Sequence, residues 1–407
     1  MIYSKTTSFF PNPFSIYVAF WVLYRLQDLW TQAGGLVSQL VLFALLLVSF
    51  RHAYLLYSSS VRKPMYMRGL WLLLLMYTIY GFSLVITDGM TTQGLSLRPP
   101  TYYFLKDRYM SLLPIVSCYY YTVKGYLNEK TLRIWCFLFL GFGLIEYYLQ
   151  KENIALEMMS LGLSEDNVNN VGYVMVSIMP CFLILKKGWL QYVGIAICFL
   201  FVVFSMKRGA IICALIIVVL YTMMNMRTLK TTRKFGFVIL LVLLGVIVYN
   251  ILQDTILQNE FFQNRLEDTM EGNLSGRDEL IRSMLIFYSD KASFIQQLFG
   301  VGADGTLKIS INYAHNDWVE ILIDHGALGI CLFMYYWFCF TKTAVGKKMS
   351  DSSQRVLLII ASFTFAQTFF SMSIGSFNIY ISSILGYALA DGYFLDKQRI
   401  LNWGTIR

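Results

Sequence analysis

"YAHNDWVEILIDHG", residues 313–326, runs without a break into "ALGICLFMYYWFCF", residues 327–340. The first part holds two of the chain's three histidines, His315 and His325, together with Asp317, Glu320 and Asp324. The second part carries no charge. A polar start that becomes an uncharged apolar helix marks the place where a membrane span meets water. Titratable groups gathered at such a mouth are costly to keep there, and so they mark a candidate site.

The rest of the chain agrees with that reading. Its 407 residues are 57% hydrophobic and 14% charged, with mean hydropathy +0.56. Soluble domains carry about a quarter charged residues, so this is an integral membrane protein. The opening "MIYSKTTSFFPNPF" has no small-residue cleavage site after an apolar run, so no cleavable signal is expected. The net charge of +9 does not imply nucleic acid, because the basic residues sit in short loops between apolar runs.

Twelve spans are expected, at 14–30, 36–57, 69–87, 102–123, 132–149, 168–185, 188–206, 209–224, 235–252, 317–340, 356–374 and 377–394. The loops "VRKPMYMR", "KGYLNEKTLR", "KK", "NMRTLKTTRK" and "KTAVGKKMSDSSQR" and the C-terminal "DKQRILNWGTIR" are basic and read as cytoplasmic. The intervening loops are mostly neutral or acidic, which puts both termini in the cytoplasm. The chain thus reads as one integral domain, 1–407, with an extracytoplasmic loop at 253–316 between spans 9 and 10. Two amphipathic helices are expected there, over 259–270 and 276–299. Ser275 and Asp278 form a capping-box signal for the second. Phe261, Phe262, Leu280, Leu285 and Phe294 lay these helices against the membrane surface or over the bundle.

Three features on the outer side carry candidate chemistry. "FSMKRGA" puts Lys207 and Arg208 at the ends of two helices. Lys207 reads first as a snorkelling cation. Arg208 lies where the positive-inside rule does not favour a cation, which points to function. "LSGRDEL" opens a loop helix with Arg277, whose planar fork suits phosphate oxygens, or alternatively a surface pair with Asp278 or Glu279. His315 sits at the water boundary just before span 10, where function is favoured. Asp317 with Glu320 reads as the capping box of that span, and His325, deeper, as a hydrogen-bonded core residue. Arg108, near the outer end of span 4, can join an anionic site. Arg25 and Asp28, three apart, can pair locally.

Other signals are read as structural. "GVGADG", residues 300–305, has the glycine spacing of a dinucleotide loop but follows no strand, and is expected to be a flexible turn. The seven cysteines fall in or beside apolar runs and read as small core residues. The histidine and cysteine spacing forms no metal site.

In order and spacing, "SMKRGA", "SGRDEL", "LFGVGADG" and "AHNDWVEILIDHGALG" resemble the O-antigen ligase and O-antigen polymerase superfamily of bacterial surface polysaccharide assembly. The resemblance covers about the second half of the chain and rests on Arg208-Gly209, Arg277, His315-Asn316 and Gly326-x-x-Gly329. "DNVNNVGYVMVSIMP" is similar to an Asn-rich helix start of the family and brings in Asn170. The resemblance implies an all-α, GT-C-like glycosyltransferase bundle. It implies a donor oligosaccharide on undecaprenyl diphosphate, used at the outer face of the bacterial cytoplasmic (inner) membrane with no nucleotide sugar and no cofactor. The expected catalytic residues are His315, Arg208 and Arg277, with Asn316, Arg108, Lys207 and Asn170 as substrate-binding residues. The arginines would hold the leaving diphosphate without a metal. His315 would take the acceptor's proton if transfer inverts configuration directly.

A polymerase, extending a glycan on lipid-linked repeat units, is the leading expectation. A ligase to lipid A–core in lipopolysaccharide assembly is the alternative, and a protein O-oligosaccharyltransferase is a third member type. A transporter or flippase would place charge through the midplane and show internal repeats. A scaffold would not need the arginine and histidine set. Expected partners are the lipid-linked donor, the glycan acceptor and membrane lipids, with a chain-length regulator and a flippase in the same pathway.

Overall fold

The computed structural model describes residues 12–30, 35–59, 61, 63–87, 100–160, 170–185, 188–226, 277–310, 313–346, 349–371 and 373–404. Among these residues the structure is all helical. The helices are α1 Pro13–Arg25, α2 Leu36–Ser58, α3 Met65–Thr87, α4 Pro100–Val123, α5 Glu129–Ser160, α6 Gly172–Phe182, α7 Gly188–Phe204 and α8 Arg208–Met226. They continue with α9 Arg277–Ile286, α10 Phe294–Phe299, α11 Gly305–Ile309, α12 Asp317–Val345, α13 Asp351–Gln367 and α14 Ile379–Gly404. A π turn, Phe287–Lys291, joins α9 towards α10.

Every expected span but one coincides with a described helix. The span at 235–252, the loop helix at 259–270 and Ser275 lie outside the described residues. Three helices, Leu36–Ser58, Glu129–Asn153 and Asp317–Val345, are long and apolar enough to cross a membrane. Four shorter apolar stretches, Gly172–Phe182, Trp189–Phe204, Arg208–Met224 and Ile379–Asp391, accompany them. The core is aromatic and aliphatic, with Trp135, Tyr66, Tyr119, Phe139 and Phe340 fully buried. Six cysteines are buried and unpaired, as small core residues should be. Cys331 is exposed on the outward face of α12, against expectation, because that stripe of the helix meets no protein neighbour.

Local sequence sets the helix starts. Asn12 caps α1, its Oδ1 accepting from Phe14 N at 3.0 Å, with Pro13 at the first helical position. Ser350 caps α13. The start of α12 differs from expectation. Asn316 is the cap, its Oδ1 accepting from Trp318 N at 3.0 Å and Val319 N at 3.2 Å. Asp317 and Glu320 therefore form no capping box, and their carboxylates are free to bond elsewhere.

The expected helix over 276–299 is present as two pieces. Ser293 and Gln296 form a full capping box at the start of α10, so a new helix begins there. Met284 of α9 is buried with Ala314, Val319 and Ile323 in a small core of its own. This core fastens the loop helices to the first turns of α12.

"GVGADG" is no flexible turn. α12 breaks its helical course at Gly326, φ 65°, which leaves the carbonyls before it without partners inside the helix. Val301 N donates to Ile323 O at 2.8 Å, and Gly302 N donates to Asp324 O at 3.0 Å. Gly300, φ 82°, lies directly on this kink. The glycines serve backbone-to-backbone docking, and a β-carbon on either Gly300 or Gly326 would overlap the other strand of the contact.

Candidate functional site

A cavity of about 580 Å³ opens at the end of the bundle where α12 begins. This is within the usual size of a ligand pocket. Four of the residues expected from sequence line it: His315, Lys207, Arg108 and Asn170. They come from four separate places in the chain. Asn170 precedes α6, Lys207 precedes α8, Arg108 lies on α4, and His315 lies just before α12.

The backbone is unusual at these points. Among the described residues, three that are not glycine have φ in the left-handed region: Met206 at 52°, Asp304 at 52° and His315 at 53°. His315 and Asp304 line the cavity, and Met206 precedes Lys207. Such conformations persist only where the surroundings impose them, and they gather at functional sites.

A short turn after α13, Thr368–Ser371, organises the site. Arg277 Nη1 donates to Phe370 O at 3.0 Å. Asn316 Nδ2 donates to Phe369 O at 3.1 Å. Asp317 N donates to Thr368 O at 2.8 Å, and Trp318 Nε1 to Thr368 Oγ1 at 2.8 Å. Gly209 faces the same turn, since a β-carbon there would stand 3.0 Å from the Phe370 ring and 2.1 Å from the Tyr173 hydroxyl. Sequence motifs more than a hundred residues apart thus meet on one turn.

Each expected residue has a definite place. His315 lies in the electrostatic field of Arg277 and Lys207; burial first, and then these two cations, hold its imidazole below the ordinary value of 6.5. A histidine held neutral keeps a lone pair for a proton. Arg277 is half-buried beside His315 and anchored to Phe370 O. Arg208 opens α8 next to Lys207 but is not among the residues lining the cavity. Asn316 also stands off the cavity, with its side chain engaged in capping α12 and bonding Phe369 O.

Arg108 is held over two rings, 5.0 Å from the Tyr77 centroid and 5.5 Å from that of Phe104. Asp304, Asp317 and Asp324 contribute to the field around it. The cavity also takes Arg25 and Asp107, so cations and carboxylates both face it.

Two local pairings differ from expectation. Arg25 does not pair with Asp28, which sits in a separate 3-10 turn. Its Nε and Nη2 instead reach Glu146 of α5, at 2.8 Å and 2.7 Å. Tyr380 also donates to that carboxylate. A fork-to-carboxylate pair with a third partner outweighs a surface contact of the same helix. His325 is not a hydrogen-bonded core histidine either. Both ring nitrogens are buried without a partner in the structure. The ring lies among aromatics, 4.3 Å from Tyr80 and 5.5 Å from Tyr77 by centroids.

The carboxylates of the opening stretch are structural ties. Thr306 Oγ1 donates to Glu320 Oε2 at 2.6 Å, and Thr306 N to Asp324 Oδ1 at 3.1 Å. Ser373 N donates to Asp317 Oδ2 at 2.8 Å. These bonds hold α11 and the turn after α13 to α12, and so set the walls of the cavity.

Sequence reasoning missed Tyr173, Asp304, Tyr313 and Asn378, all of which line the cavity. Tyr313 was visible two residues before His315. Asp304 lay within a glycine-rich stretch that reads locally as a turn. No local signal marks Asn378 or Ser371.

Residues 193–334 match the family model described as O-antigen ligase. No curated protein matches the chain. The matched segment contains Lys207, Arg208, Arg277 and His315 and both glycines of the docking contact, Gly300 and Gly326. The apolar helices and this match both point to a membrane protein. Over residues 193–334, about a third of its length, the chain is thus similar to the O-antigen ligase family.

Proposed function

We propose that the chain is a polysaccharide polymerase of the cytoplasmic membrane, acting at its outer face. It moves a glycan from undecaprenyl diphosphate to a hydroxyl of another lipid-linked repeat unit. The bond from the anomeric carbon to the diphosphate oxygen breaks, and the bond to the acceptor oxygen forms. His315 takes the proton of the acceptor hydroxyl, and the prenyl diphosphate leaves.

The observation that carries this reading is the position of His315. It lines one cavity with Lys207 and Arg108 and lies in the field of Arg277. A base held neutral beside fixed cations suits a reaction that releases an anionic leaving group while removing a proton. In this account Arg277, Lys207 and Arg108 neutralise the diphosphate, and Arg208 supports them from the start of α8. Asn170 binds sugar, while Asn316 positions His315 by holding the helix start. With that charge supplied by side chains, transfer proceeds in EDTA. The described segment 277–310 borders the sugars, and both termini are cytoplasmic.

The family description, O-antigen ligase, favours one second reading, transfer of a finished glycan to lipid A–core. Purified protein given prenyl-diphosphate-linked repeat units separates the two. A ladder of lengthening products supports the polymerase. Transfer only after lipid A–core is added makes it a ligase. No turnover with either acceptor overturns both.

A further inference from the structure

α10 is six residues long, yet it presents Phe294, Ile295, Leu298 and Phe299 outward, with Phe294 77% and Ile295 69% exposed. Leu285 and Ile286, at the end of α9, are exposed as well. An apolar patch of this kind on a water-facing loop calls for a partner.

Two observations set its level relative to the membrane. The first is the kink in α12. Before Gly326 the helix carries Asp317, Glu320, Asp324 and His325; after it comes the uncharged run. From Gly326 to Val345 is about 20 residues, roughly 30 Å of helix with Lys342 in its last turn at the far end, which matches a hydrocarbon core. The edge of that core therefore falls at the kink, and the end of α10 is fastened there by Val301 N to Ile323 O and Gly302 N to Asp324 O.

The second observation is continuity. Leu328, Cys331, Met334 and Phe338 form one exposed stripe along α12 below the kink. On α3, Ile79 and Phe82 are exposed, and Tyr80 between them donates to Phe299 O. α12 is long and apolar enough to cross a membrane, and the outward face of α10 adjoins these exposed apolar stripes. Ser289, Asp290 and Lys291 before α10 are exposed and polar, as a headgroup-level approach requires.

We propose that Leu285–Phe299 is an in-plane membrane anchor. Phe294, Ile295, Leu298 and Phe299 lie among lipid acyl chains just below the headgroups, in the leaflet on the cavity side. Lipid is the occupant because the patch extends a lipid-facing belt at the same depth. The docking at Gly300–Gly302 and the bonds from Thr306 join this anchor to the stretch that bears His315. The cavity is thereby held at a fixed height above the bilayer surface, where a lipid-borne diphosphate sits.

The test uses the full chain in phospholipid nanodiscs. A nitroxide is placed at Phe294→Cys, and separately at Ser289→Cys, both with Cys331→Ser because that native thiol is exposed. The expected result is that the 294 label collides mainly with dissolved oxygen and the 289 label mainly with a water-soluble nickel chelate. The proposal is overturned if nickel reaches both positions equally, or if neither reagent reaches 294, since a protein surface would then cover it. Oxygen collision needs no turnover, so the result is independent of the glycan-transfer reading.

Discussion

Gly300 and Gly326 touch through their backbones. A β-carbon on Gly326 would stand 2.5 Å from Gly300 N, and one on Gly300 would stand 2.3 Å from Asp324 O. Both residues have positive φ. Gly300→Ala or Gly326→Ala is therefore expected to cost about 1–2 kcal/mol from backbone conformation alone, with the overlap added. Thermal unfolding and limited proteolysis across 277–310 check this. A variant with unchanged melting and unchanged cleavage would contradict the docking contact.

Thr306 is fully buried and donates to Glu320. Thr306→Val keeps the shape but leaves the buried carboxylate short of a donor. A loss of about 1–3 kcal/mol is expected, and Thr306→Ser should recover most of it. Melting temperatures of the purified variants decide the matter, since a Val variant as stable as the unaltered protein would contradict the role of the hydroxyl.

Gly209 leaves room for the Tyr173 hydroxyl and the Phe370 ring. In Gly209→Ala, Tyr173 must move, and Tyr173 lines the cavity. Transfer is expected to fall at least about tenfold, equivalent to roughly 1.4 kcal/mol in the barrier, while the melting temperature drops only modestly. Activity like that of the unaltered protein would show that the wall tolerates the shift.

His315 is held below 6.5 by burial and by Arg277 and Lys207. The basic form therefore persists below that pH, and the acid limb of the transfer rate should have its midpoint under 6.5. Stability follows the same sign. As pH falls from 6.5, the unfolded chain takes up this proton more readily than the folded one, so folding weakens. Lys207→Gln removes one of the repelling charges, so the midpoint should move up. A pH–rate profile of this variant that moves down, or stays in place, would contradict the assignment.

Much of this architecture is legible in the sequence, because hydropathy and loop charge are local signals. Eleven of the expected spans coincide with described helices for that reason. Arg108, Lys207 and His315 are readable as charged or polar residues at one end of apolar runs and Asn170 through the family resemblance, and all four share the cavity. What was not legible depends on contacts distant in sequence. Arg25 pairs across the bundle with Glu146, where only its neighbour Asp28 was in local view. The hub at Thr368–Ser371 acts through backbone carbonyls, which carry no residue signature. Asn316 displaced Asp317 as the cap because Asp317 bonds Ser373, 56 residues further on.

In the proposed reaction His315 removes the acceptor proton in this cavity. The most direct measurement is the rate of glycan transfer from a prenyl-diphosphate donor by purified His315→Gln, with melting temperature as the check on folding. A folded protein that has lost about 10²–10⁴-fold in rate is expected. A folded His315→Gln that transfers at the rate of the unaltered protein would contradict that role of His315.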